Sequence, residues 1–394
     1  MIHRPAHADT AWTSPRSPHR GRRALLLLAL TALAVALLPV AAAQARVPKV
    51  FFGIDQGGFV TEPDYRQMHD IKVRTMRIAI NWKRIEPHRG AFAWGEVDGK
   101  VTALARNGIA PAMFIFGAPA WATGSNNQGV PPLKGAALRN WKAFLKKAVK
   151  RYKKGGQFWR DHPGLPVKAV KSWQLWNEPN LAQYFAKAGP YPPQLVSHAA
   201  KAYAKFVKAS DKAISTADRH AKVVLAGLSG NPKKRKQSPH KFIKKFLKVK
   251  KVTKHFDAAA LHPYASKVNK YKSRISKFRK ALNKGGAKKK PIWLTEVGWG
   301  SAIDGQRLNK GLAGQAKLLS KSFTVTLKKR KKWKIDRLYW FDWRDPAPGP
   351  PATCSFCPSA GLLRFDGTSK PSYKKFKRFT RKQGGGGHRH RRAT

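Results

Sequence analysis

The chain has 394 residues, 42% of them hydrophobic, enough for one large buried core, which excludes disorder of the whole. Lysine and arginine total 80 against 19 aspartate and glutamate, a formal net charge of +61, so polyanions should concentrate around the protein. No helix-turn-helix, zinc-finger or RNP-like pattern accompanies that charge. Specific nucleic-acid binding is therefore not expected, which leaves cell-envelope polymers, acidic glycans or a solubilising lysine coat.

Residues 1–45 resemble an export signal. Arg16, Arg20, Arg22 and Arg23 precede an apolar run from Ala24 to Ala43, and Ala43-Gln44-Ala45 has the small-x-small form of a cleavage site. The run approaches spanning length, so a membrane anchor is the competing reading. Cleavage would leave a secreted or envelope-associated chain with no transmembrane segment.

From there, short apolar runs alternate with lysine-studded amphipathic stretches. Strands are expected at Val50–Ile54, Thr75–Ile80, Ala112–Phe116, Ser172–Trp176, Val223–Gly227, Asp257–Leu261, Ile292–Glu296 and Arg337–Phe341. Between them, Leu138, Trp141, Phe144, Leu145 and Val149 recur at helical spacing, as do Tyr203, Phe206 and Val207. Eight strand–helix units predict a single (β/α)8 TIM barrel over residues 46–382. No Gly-x-Gly-x-x-Gly turn follows the first strand, which counts against a dinucleotide cofactor. Cys354 and Cys357 are the two cysteines and predict a local disulfide in an exported chain. Residues 383–394, with four glycines, His388 and His390, read as a disordered basic tail.

In a TIM barrel, functional groups stand at the C-terminal ends of the strands. The fourth strand ends in Leu175-Trp176-Asn177-Glu178-Pro179-Asn180, and the seventh in Leu294-Thr295-Glu296-Val297-Gly298-Trp299. One such glutamate could merely hold a loop. Two facing each other across a mouth suit glycosidic cleavage, which needs one protonated and one ionised carboxyl. Arg77, on the second strand, could keep one of them ionised.

Trp176-Asn177-Glu178-Pro179 together with Thr295-Glu296-Val297-Gly298-Trp299 resembles the paired motifs of clan A glycoside hydrolases, the retaining TIM-barrel group that includes families 5 and 39. The resemblance spans nearly the whole chain after the leader, to Tyr373. It implies Glu178 as acid/base, Glu296 as nucleophile, and Asn177 on the sugar 2-hydroxyl. It also implies that Arg77 orients the nucleophile, that His262 and Tyr264 flank it, and that Trp340 forms a platform under the sugar. Family 5 members carry a histidine near the end of strand three. Here the stretch reads Ala118-Pro119-Ala120-Trp121, which looks more like family 39 and makes Trp121 a candidate for sugar stacking. Trp94 is expected to pack, and Trp82 is open to either role. The resemblance implies an O-glycosidase acting on a carbohydrate, with no metal or other cofactor expected. The positive charge makes a close homodimer costly, hence a monomer, and points to an anionic glycan or envelope polymer as substrate or matrix. A carbohydrate- or wall-binding barrel without turnover is the alternative.

Overall fold

The computed structural model describes residues 47–384 except 190, 231, 233–236 and 350–353. The expected leader and the tail beyond Gly384, with His388 and His390, lie outside the described residues. Eight parallel strands close into a barrel in chain order: β1 Phe52–Asp55, β2 Thr75–Asn81, β3 Ala110–Phe116, β4 Ser172–Leu175, β5 Lys222–Ser229, β6 Ala258–His262, β7 Ile292–Val297 and β8 Ile335–Trp340. Helices α1 Glu62–Asp70, α2 Trp82–Ile85, α3 Gly95–Arg106, α4 Ala120–Thr123, α5 Gly135–Tyr152 and α6 Gln157–Asp161 occupy the first half. They are followed by α7 Ala199–Ala217, α8 Pro239–Leu247, α9 Val268–Lys284, α10 Gly311–Trp333 and α11 Pro371–Gly384. The last helix therefore runs two residues past the boundary expected for the tail. No helix among the described residues is long and apolar enough to cross a membrane.

Alternation along the strands sorts side chains into two cores. Ala112, Val224, Ala258, Ala260, Trp293 and Tyr339 fill the barrel interior. Residues of opposite parity, such as Ile78, Trp173, Leu294 and Leu338, join the shell between sheet and helices. Toward the C-terminal end the inward positions become polar: Asp55, Arg77, Gln174, His262 and Thr295, all buried. A mouth built of polar side chains over an apolar floor is what positions the site.

Register shifts aim the functional strands. β5 and β6 shift register between Val224 and Gly227, and β7 and β8 shift between Leu294 and Val297. Such shifts redirect side chains that strict alternation would turn outward. At Gly227 a Cβ would fall on the imidazole of His262, so glycine is required for that ring to sit in the barrel. β4 stops at Leu175, one residue short of expectation, because Trp176 adopts φ 73° and leaves the extended conformation. Its ring turns to Trp141 and Phe206 on α5 and α7.

Candidate active site

Arg77 organises the mouth. It is the third of seven residues in β2, inside the barrel and not at the strand's end, and its guanidinium lies 3.8 Å over the Phe114 ring. Nη1 donates to Asp55 Oδ1 at 2.8 Å and to Glu296 Oε1 at 3.0 Å. Nη2 donates to Asn177 Oδ1 at 3.2 Å, and Nε to Gln174 Oε1 at 2.7 Å. One buried cation thus serves two carboxylates. Burial first, and then the Glu296 charge against the pull of Arg77, raise the Asp55 pKa well above the usual carboxylate range.

Glu296 and Glu178 meet across the mouth at His262. Its Nδ1 lies 2.9 Å from Glu178 Oε1 and 3.2 Å from Glu296 Oε2. One carboxylate oxygen of each glutamate and a ring nitrogen of His262 fall within 4.8 Å of one another. Those three donor atoms are close enough to share a cation, but Arg77 already places positive charge against Glu296. The Tyr264 hydroxyl donates to Glu296 Oε2 at 2.9 Å. Phe356, beside the Cys354–Cys357 disulfide, backs Tyr264 at 4.9 Å between ring centroids.

A chain of hydrogen bonds fixes the histidine. Arg77 orients the Gln174 amide, whose Nε2 donates to Leu225 O at 3.0 Å and Thr295 Oγ1 at 3.3 Å. Nδ1 faces a carboxylate oxygen of each glutamate, both acceptors, so the hydrogen on the neutral ring resides there. Nε2 then accepts from the Thr295 hydroxyl, 3.0 Å away. Burial lowers the His262 pKa to about 3, so the ring stays neutral.

Glu178 itself has a left-handed backbone, φ 37°, a strained setting for a side chain with a Cβ. Its N–H donates to Gly227 O at 3.2 Å. Asn180, fully buried, clasps Ser229 through both its N–H and its carbonyl and so pins the loop to the end of β5. Burial pushes the Glu178 carboxyl up to about 7, against a Ser229 hydrogen bond and the Arg77 charge, which pull it down.

One expected sugar-binding residue stands elsewhere. Trp340 is fully buried and packs against Trp299 and Phe323 in the shell outside the barrel, so it offers no platform. The cause is parity. Tyr339 faces inward, Trp340 outward, and the half-buried Phe341 presents the aromatic face at the mouth, next to Gly57 and Phe356. Trp121 meets Trp82 edge-on and donates its ring N–H to Glu86 O, which ties α4 to the connection after β2. Trp82 is buried, and Trp94 stacks between Phe92 and Phe144, so both pack. Asp55, Gln174, Thr295 and Phe341 escaped the sequence reading. Each is a polar or aromatic residue at an inward position near a strand's end, the one signal that could have flagged it.

A cavity of about 830 Å³ opens on the β1–β3 side of the barrel, and neither Glu178 nor Glu296 lines it. Gln56, Phe59, Asn81, Phe116 and Gln128 line it.

The family model described as the glycosyl hydrolase catalytic core matches residues 141–361, more than half of the chain, and a beta-galactosidase model matches 59–126. Comparison with curated protein sequences finds no match. Among solved structures, a family 39 glycoside hydrolase from Bacteroides cellulosilyticus WH2 superposes with TM-score 0.59 at 19% identity. That alignment covers 86% of this chain and 64% of that one, so this chain spans less than two thirds of the other's length. GH5_18 from Bifidobacterium longum subsp. longum, bound to Manb1-4GlcNAc, gives 0.63 at 15% identity, covering 84% and 78%. A monomeric beta-xylosidase from Caulobacter crescentus gives 0.59 at 17%, covering 85% and 69%. At these identities the structural likeness speaks for the shared barrel fold.

Proposed function

Since the chain belongs to the glycosyl hydrolase catalytic core family, we propose that it is a retaining O-glycosidase using Glu178 and Glu296. The observation that carries this reading is the pair of carboxylates meeting at one histidine. One oxygen of each falls within 4.8 Å of one of the other's, and His262 Nδ1 reaches both, a close pairing that suits a retaining site, where the carboxyl groups stand about 5–5.5 Å apart. The environments separate their roles. Glu296 accepts from Arg77 and Tyr264, as an ionised nucleophile should, whereas Glu178 is held up to about pH 7 as an acid. With His262 Nδ1–H occupying Glu178 Oε1, the acidic proton sits on Oε2.

In the first step a Glu296 oxygen attacks the anomeric carbon. The bond to the leaving oxygen breaks, and the Glu178 proton passes to that oxygen. In the second step the Glu178 carboxylate takes a proton from water. The resulting hydroxyl oxygen displaces Glu296 from the anomeric carbon, which regenerates both carboxyls. Asn177, whose Oδ1 is held by Arg77, turns its amide N–H groups away from the guanidinium as donors to a sugar hydroxyl. Phe341 supplies the aromatic face. The leader motivates action outside the cytoplasm, with a carbohydrate as substrate.

An activated 2-fluoro glycoside panel tests the mechanism by intact-protein and peptide mass spectrometry. A sugar on the peptide holding Glu296 is expected, and its absence from the Glu296→Gln variant fixes the attachment. Each of Glu178→Gln and Glu296→Gln should lower kcat by about 10³-fold or more. Full turnover in either variant would overturn the assignment.

A further inference from the structure

α8 is flanked by two grooves, and exposed lysines edge both. Between α7 and α8, a cavity of about 680 Å³ is rimmed by Lys201, Lys245, Lys248 and Lys250. On the other side of α8, a groove of about 310 Å³ toward α9 is lined by Lys244, Lys277, Lys280 and Lys284, with His240 and Ala281. Neither α8 nor α9 contains an aspartate or glutamate. The two lysines in ion pairs among the described residues are Lys100 and Lys370, so none of these eight has a carboxylate partner there. Lys280 and Lys284, and Lys244 and Lys248, stand four residues apart, a spacing at which like charges destabilise a helix. The arrangement is unfavourable by itself and becomes favourable when an anion occupies the grooves.

We infer that α8 and its two grooves form a binding strip for an anionic polysaccharide, separate from the catalytic mouth. A polymer crossing α8 would meet lysines on both sides, with repeating charges paired to each set. Charge is the recognition element here, because the aromatic residues of α8, Phe242 and Phe246, are buried. Single-stranded nucleic acid would call for exposed stacking rings. A membrane surface would call for exposed apolar side chains, and the exposed large apolar residues Phe59, Val167, Tyr191, Ile303, Leu312 and Phe365 all lie outside α8 and α9. The preference for a glycan over other polyanions rests on the glycosidase reading; the grooves themselves do not.

The test uses the whole protein with polygalacturonate, which carries a carboxylate on every sugar, and its fully methyl-esterified form as the uncharged control. Polygalacturonate should bind in 0.1 M salt and the ester should not. Substituting Lys244, Lys245, Lys280 and Lys284 together by Gln should weaken binding at least tenfold. It should also lower the slope of log K against log salt by about 3, near the 0.7–0.9 expected per phosphate-type contact. Changing Lys374, Lys375, Arg378 and Lys382 on α11 to Gln removes the same charge elsewhere and should cost less than threefold. Equal losses in the two variants would overturn the strip and leave binding to the whole basic surface. Duplex DNA or phosphatidylglycerol vesicles outcompeting polygalacturonate at equal charge would overturn the choice of glycan. Turnover of a neutral glycoside should be unchanged in both variants. An unsubstituted protein that turns over a glycoside but does not bind polygalacturonate sinks only the strip, whereas failed trapping with intact binding sinks only the glycosidase mechanism.

Discussion

Burial moves Glu178 and His262 in opposite directions, and their effects on stability oppose each other. Glu178, raised from 4.5 to about 7, stabilises fully below pH 4.5 and loses that contribution as pH climbs through about 7. His262, lowered from 6.5 to about 3, stabilises fully above 6.5 and loses that contribution as pH falls toward 3. Between pH 4.5 and 6.5 the folded chain keeps a proton on Glu178, while the unfolded chain keeps one on His262. The two states bind equal numbers, and the pair leaves stability flat there. Glu178→Gln breaks the balance. Relative to the parent, its stability should rise by about 1.4 kcal/mol per pH unit across that window, read from calorimetric Tm. A constant difference would mean that one of the two groups is not held in its neutral form. Thr295 is argued through His262. Thr295→Val deletes the donor to Nε2, and an unsatisfied buried nitrogen costs about 1–3 kcal/mol, roughly tenfold to hundredfold in kcat. KM should hold steady and Thr295→Ser should restore the rate. A Ser variant as slow as Val would assign the loss to packing.

The strands were readable because a closed parallel barrel buries both faces, leaving short apolar runs between amphipathic helices. Glu178 and Glu296 stood out because so few carboxylates interrupt the sequence, and both follow such runs. What stayed hidden depends on parity and register. Gln174 and Thr295 look like stray polar residues until alternation turns them inward, and Asp55 ends a strand too short to show its period. β8 gives the sharpest case, since a one-residue step exchanges the barrel face for the shell and Trp340 for Phe341. The exchange has separable consequences. Trp340→Ala should destabilise by about 3–5 kcal/mol, measured by denaturant midpoint, because it empties a packed site between Trp299 and Phe323. Phe341→Ala should cost less stability and raise KM. If Trp340→Phe raises KM with stability unchanged, the tryptophan faces the sugar after all.

Across the molecule, acidic residues are few, and five of those in the described residues are buried. Asp55, Asp64, Glu86, Glu178 and Asp342 are all buried, while α5, α8, α9, α10 and α11 carry lysine and arginine with no acidic residue. Folding draws these charges together and has few surface ion pairs to lose when salt is added. Self-repulsion is then the dominant salt-sensitive contribution, and it is screened over a Debye length of about 10 Å at 0.1 M and 3 Å at 1 M. Sodium chloride raised from 0.02 M to 0.5 M should lift Tm by several degrees, and sucrose at equal osmolality should lift it less. A Tm that falls would mean that the ion pairs outweigh the repulsion. A bound polyanion relieves the same repulsion by mass action, because it favours the compact array of charges over the unfolded chain. Polygalacturonate should accordingly raise Tm at 0.02 M salt and lose that effect by 0.5 M, where chloride already screens the lysines. Stabilisation that persists at high salt would require contacts other than charge.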